Sequence, residues 1–213
     1  FMRHLEKTGL LDRAIEFLPN DEQIVERKAQ GLGLTSPELA VLLAYSKMWL
    51  SDELVASDLP EDPWVATALA RYFPPLLRER FAALIPRHPL KREIIATHVI
   101  NSMLNRAGST FVHRMMETTG AQPHEIVRAY LLSREIFGLV PMWLGIEALD
   151  NKVADAVQST MLVDASALFM GDLLGIGAQL QRSYRQGYSL DQRNSAITAV
   201  RAQPDLLVVQ VQS

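Results

Sequence analysis

The chain has 213 residues, 48% of them hydrophobic and 21% charged, a composition that can bury a sizeable core and is too apolar for disorder over most of its length. Lys and Arg number 21 against 24 Asp and Glu, and the formal net charge of −3 gives no electrostatic footing to nucleic acid or an anionic membrane. Cysteine is absent, which excludes disulfides, thiolate catalysis and sulfur-ligated zinc, and no apolar run approaches the roughly 18 residues of a membrane span.

In chain order, Leu5, Leu11, Ile15 and Leu18 fall at helical spacing and predict a first helix stopped by Pro19. Arg3, His4, Glu6 and Lys7 interrupt any signal-peptide pattern, and a chain opening on Phe1 without an initiator Met reads as part of a longer protein. Asp21 caps a short helix containing Ile24 and Val25, closed by Gly31-Leu32-Gly33. Thr35 with Glu38 three residues later reads as a capping box, with Pro37 in the first turn. The helix it opens, over 37–56, carries Leu39, Val41, Leu42, Leu43, Met48, Trp49 and Leu50 on nearly every side, which places it centrally in a core.

Asp62-Pro63 starts a further helix through Tyr72-Phe73, and Pro74-Pro75 separates it from one over 76–85. A long helix follows from Leu90 to Ala107, ended by Gly108. Ser109 or Thr110 caps the next, stopped by Gly120. Pro123 opens another up to Phe137-Gly138, and Pro141 one more through Leu149. From Ala154 the pattern stays helical to Gly171, a final helix covers Asp191 to Ala202, and only Leu206 to Val209 is β-prone. The sum is an all-α, compact array of nine to eleven helices: a helical domain over 1–163, with 164–213 adding helices to the same domain.

Catalytic motifs are missing. Gly31-Leu32-Gly33 lacks a third glycine at Ser36 and a preceding strand, and Gly175-Ile176-Gly177 fails likewise at Leu180, so neither reads as a dinucleotide loop. His4, His88, His98, His113 and His124 include no pair at i+3 or i+4, and no serine sits in a nucleophile elbow. No catalytic, cofactor-binding or metal-ligating residue is assigned.

One helix face is unusual. In the segment from Arg92 to Arg106, Ile95, Ala96, Val99, Ile100, Met103 and Leu104 form a broad apolar face. The opposite arc holds Thr97, His98, Asn101, Ser102 and Asn105, polar but nearly uncharged where a solvated face carries Lys and Glu. Asn and Ser are mediocre inside helices because their side chains compete for backbone hydrogen bonds. Their concentration marks Arg92, His98, Asn101, Asn105 and Arg106 as a candidate arc. It either ties down neighbouring loops of the same domain or meets a partner or small ligand, with Arg92 and Arg106 able to grip a carboxylate.

The run from Gly33 to Lys47, GLTSPELAVLLAYSK, resembles a hallmark of the large-type, NAD-specific glutamate dehydrogenases of bacteria. Tyr72-Phe73-Pro74, the run Arg92 to Thr97 with Asn101, Asn105-Arg106-Ala107-Gly108, Thr110-Phe111, Trp143, Ile146, Glu147 and Leu149-Asp150 continue the likeness. It covers residues 3–163, with Ser36 where the family pattern has Arg. The resemblance implies a parent that oxidatively deaminates L-glutamate to 2-oxoglutarate with NAD, its catalytic machinery lying upstream. It also implies a cytoplasmic enzyme of amino-acid catabolism, a homo-oligomer whose catalytic domain is this region's partner within the same polypeptide. The region itself is then a non-catalytic C-terminal helical domain for interdomain packing, oligomer assembly or regulation; the alternative is an effector-sensing module for an amino acid or nucleotide.

Overall fold

In a computed structural model, residues 1–162 are described, and all their regular structure is helical. The elements are α1 (Met2–Lys7), α2 (Asp21–Ala29), α3 (Ser36–Ala56), α4 (Thr67–Tyr72), α5 (Pro75–Arg80), α6 (Lys91–Ala107), α7 (Phe111–Thr119), α8 (Pro123–Ile136) and α9 (Leu139–Glu147). Short 3₁₀ turns lie at Leu59–Glu61 and Ile85–Arg87, and residues 155–162 are helical. The readings made for Gly171, Gly175-Ile176-Gly177, 191–202 and 206–209 lie outside the described residues. The contacts divide the chain into two units, Phe1–His124 and Glu125–Ser213.

In the first unit, α6 packs against α3 and α4, and α1 against α3. The buried face of α6 is the one its sequence spacing predicts: Ile95, Ala96, Val99, Ile100, Met103 and Leu104. On α3 the buried residues are Leu42, Ser46, Trp49, Leu50 and Leu54, a single stripe at four- and three-residue steps. The apolar residues on its other sides are not all buried, since Leu39 and Met48 are about half exposed at 49% and 51%. The Thr35–Glu38 box forms, with the Thr35 N–H donating to Glu38 Oε2 at 2.7 Å. Ser46, buried on the inner stripe, donates its hydroxyl to the Ser109 carbonyl at 2.7 Å and pins the α6–α7 turn to the middle of α3.

The first helix ends well before Pro19. At its C-terminus Gly9 takes φ +75°, the Gly9 N–H reaches the Glu6 carbonyl at 2.9 Å and the Leu10 N–H reaches the Leu5 carbonyl at 3.0 Å. These paired bonds close a Schellman motif, so glycine rather than proline terminates the helix. Gly31 (φ +71°) ends α2 in the same way, with Leu32 N–H on the Arg27 carbonyl at 2.8 Å and Gly31 N–H on the Lys28 carbonyl at 3.1 Å. The cap at the start of α2 is Asn20 rather than Asp21: Asn20 Oδ1 accepts from the Gln23 N–H and Gln23 Oε1 from the Asn20 N–H, both at 2.9 Å. Asp21 is instead drawn to Arg13 and Arg3.

Asp62 does open a helical turn, its Oδ1 accepting from the Trp64 N–H at 2.9 Å, but regular α4 begins only at Thr67. Between α5 and α6, Pro86 falls in a 3₁₀ turn and the regular helix resumes at Lys91.

In the second unit, α8 buries Ile126, Val127, Tyr130, Leu131, Leu132, Ser133 and Ile136, and α9 buries Leu139, Trp143 and Ile146. Helix α9 begins at Leu139, ahead of Pro141, because Gly138 takes φ +61° and releases the chain from α8. Gln158 then donates its amide to the Ile146 and Glu147 carbonyls at 2.9 and 3.3 Å, covering the open end of α9.

Candidate functional site

Helix α6 is continuous from Lys91 to Ala107, and this fixes how far its polar residues stand apart. Arg92 and Arg106 are 14 positions apart, about 21 Å along the axis at 1.5 Å per residue. They cannot close on one small carboxylate. His98, Asn101 and Asn105 step by three and four residues and share one face, His98 and Asn101 half-buried and Asn105 exposed. Ser102 lies half-buried beside them, and His98, Ser102 and Arg106 each have an interaction partner.

Arg92 is committed elsewhere. Its Nη2 donates to the Val55 and Ser57 carbonyls at 2.7 and 2.6 Å, its Nε to Val55 at 3.3 Å, and its Nη1 to Glu61 Oε1 at 2.8 Å. Those carbonyls close the last turn of α3, where unpaired acceptors and the negative end of the helix dipole coincide. The guanidinium therefore caps α3 and holds the 3₁₀ turn after it, with Lys91 completing the contact to Glu61 at 2.9 Å. Both cations hold the Glu61 carboxyl below its usual range, the Lys91 hydrogen bond being the largest cause. With Arg92 committed to α3, the residues of the arc left on one face of α6 are His98, Asn101 and Asn105.

Three further clusters join residues separated by more than helical spacing and escaped sequence reading. Arg13 makes a two-pronged pair with Glu6 at 2.6 and 2.8 Å and bonds Asp21 at 2.8 Å. Arg27 straddles Glu38 at 2.7 and 3.0 Å, and that bond, together with the Thr35 N–H, pulls the Glu38 carboxyl down to about 2. Tyr45 donates its hydroxyl to Glu16 at 2.7 Å, which raises the phenol's pKa.

A ring cluster assembles Phe1, His4, Trp49 and His113, with the two imidazole centroids 4.8 Å apart and His4 edge-on to Trp49 at 5.3 Å. Burial is the largest cause that pushes His113 below its ordinary pKa; neighbouring His4 acts in the same direction, while Glu117 opposes it. The 109 positions between His4 and His113 hide this pairing from any local motif search. Among the described residues, no three His, Asp or Glu side chains converge as a metal-binding group. Nor is any described helix long and apolar enough to cross a membrane.

The family described as glutamate dehydrogenase, C-terminal, matches residues 31–207. The NAD-specific glutamate dehydrogenase of Halomonas elongata is 46% identical over 164 residues, 77% of this chain and 10% of that protein. Proteins of the same name from Pseudomonas aeruginosa and Mycobacterium tuberculosis are 42% identical over 161 residues and 37% identical over 180 residues. These alignments take in 76% and 81% of the chain. The chain spans only 10–11% of the length of these relatives.

Proposed function

The chain belongs to the glutamate dehydrogenase C-terminal family, and from that premise we propose that it is a non-catalytic helical region of an NAD-dependent glutamate dehydrogenase, serving interdomain packing and subunit assembly. The parent reaction is the oxidation of L-glutamate by NAD and water to 2-oxoglutarate, ammonium and NADH, run in the cytoplasm by catalytic residues elsewhere in the polypeptide. The observation that carries the reading is the employment of the polar side chains. Arg92, Arg13 and Arg27 are each spent on tying one helix to another, and Ser46 on tying the α6–α7 turn to α3. A segment so occupied is suited to a supporting role. Deleting the equivalent of residues 31–162 from a full-length relative tests it. The truncated enzyme is expected to melt several degrees lower and to sediment as smaller species. An unchanged number of subunits, melting temperature and turnover would overturn the reading.

A second reading, an effector-sensing module for an amino acid or nucleotide, draws on the common face of His98, Asn101 and Asn105. A thermal-shift panel of amino acids and nucleotides at millimolar concentration tests it. Stabilisation that Asn101→Ala abolishes supports this reading, and no stabilisation by any compound refutes it.

A further inference from the structure

The arginines of the first unit fall into two groups. Arg3, Arg13, Arg27 and Arg92 are paired with carboxylates, and Arg106 and Arg114 have interaction partners. The remaining four, Arg71, Arg78, Arg80 and Arg87, lie within 17 consecutive residues whose sole acidic member is Glu79. Among the described residues none of these four meets a carboxylate; Arg78 Nε is buried without a hydrogen-bond partner, and Arg80 stacks over the Phe81 ring at 5.5 Å. In a chain of net charge −3, this is a local concentration of uncompensated positive charge.

The same segment leaves its apolar residues outside. Helix α5 buries no residue. Leu77, Phe81 and Ile85, at four-residue steps, turn progressively inward to the buried Ile85, whereas Leu76 and Leu84 stand 79% and 59% exposed. Tyr72 and Leu90, before and after α5 in sequence, are exposed as well. Large aliphatic and aromatic residues interleaved with arginine make up the composition of protein–protein interface cores. A stretch this apolar is not left to water without a cost.

We propose that the surface of α5 and the turn after it, carrying the exposed Leu76 and Leu84 together with Arg71, Arg78, Arg80 and Arg87, is a docking surface for an acidic-rimmed apolar patch on the part of the parent dehydrogenase outside this chain. The occupant follows from charge and length. Four arginines without carboxylates call for Asp and Glu opposite them, and some nine-tenths of each relative lies outside the matched segment. A bilayer surface is the poorer match, because an interfacial helix lays one continuous apolar helical face into the headgroups, whereas Leu76 lies on α5 and Leu84 on the turn that follows it. The proposal rests on the supporting role argued above and names the surface through which it acts. That role would fail separately, by glutamate-dependent NADH formation from the 213-residue chain alone.

The test uses a full-length relative carrying a photo-crosslinking phenylalanine analogue in place of the residue equivalent to Leu76, with a control at the equivalent of Met48. The exposure of Leu76 makes the replacement harmless to the core. The expected result is an adduct to an Asp- and Glu-rich peptide of the dehydrogenase outside this region. Its yield should fall at least about fivefold when Arg71→Glu, Arg78→Glu and Arg87→Glu are combined, charge repulsion replacing attraction. An adduct to lipid, to nucleic acid or to the same segment of a second copy overturns the proposal. So does a yield no greater than at the Met48 position, or one that charge reversal leaves unchanged.

Discussion

Replacing Arg92 with Met keeps the length and apolar stem of the side chain and removes every donor. The structure gives three acceptors to lose: the Val55 carbonyl at 2.7 Å, the Ser57 carbonyl at 2.6 Å and the Glu61 carboxylate at 2.8 Å. A hydrogen bond from a charged donor contributes about 1.5–3 kcal/mol when shielded, whereas an exposed ion pair contributes about 0–1 kcal/mol. The Arg92 side chain is 33% exposed and its Glu61 partner 46%, so water replaces part of what is lost and the carboxylate arm counts for little. The two carbonyls at the end of α3 dominate, and Arg92→Met is expected to cost about 2–3 kcal/mol. Arg92→Lys should lose about half of that, because one ammonium cannot span both carbonyls and the carboxylate. Urea unfolding followed by far-UV circular dichroism reads the loss as a lower midpoint at constant slope. A Met variant within about 0.5 kcal/mol of the parent, or a Lys variant fully as stable as it, would refute the capping role.

Other outcomes follow from the same geometry. Glu38 is held at about 2 by Arg27 and the Thr35 N–H against an ordinary value of 4.5, so its stabilisation is complete above pH 4.5 and drains away as pH falls toward 2. In Glu38→Gln that part of the acid-unfolding slope between pH 4.5 and 2 should disappear, and an unchanged profile would contradict the pairing. Ser46→Ala orphans the Ser109 carbonyl and should cost about 1–3 kcal/mol by chemical denaturation. Asn105→Ala, at an exposed position, should stay within about 0.5 kcal/mol of the parent, and a larger loss would mean that the arc is tied down internally. Gly120→Ala, at φ +68°, forces a side chain into the left-handed region and should destabilise the end of α7 by about 1–2 kcal/mol.

Local signals were legible and long-range ones were not. The Thr35–Glu38 box and the span from Lys91 to Ala107 before Gly108 were readable because the causes lie within four residues of the effect. The all-α class followed from the same recurrence of caps and stops. The first helix was overextended because Leu11 and Leu18 are buried without being helical; burial imitates helical spacing when a chain turns back on a core. Gly9, which ends that helix through its backbone conformation, was the overlooked sign. Asn20 outcompeted Asp21 as a cap because Gln23 returns the bond and Arg13 claims the aspartate. At the candidate arc, the spacing of Arg92, His98, Asn101, Asn105 and Arg106 along one helix was legible because α6 is continuous. It could not reveal that Arg92 reaches across to Val55, 37 positions away.

The central claim is that this helical region supports a dehydrogenase without carrying its chemistry. It is tested most directly by incubating the purified 213-residue chain with L-glutamate and NAD and following NADH absorbance. The account predicts no formation above a protein-free blank across the neutral and mildly alkaline range. Glutamate-dependent NADH formation proportional to protein concentration would contradict it.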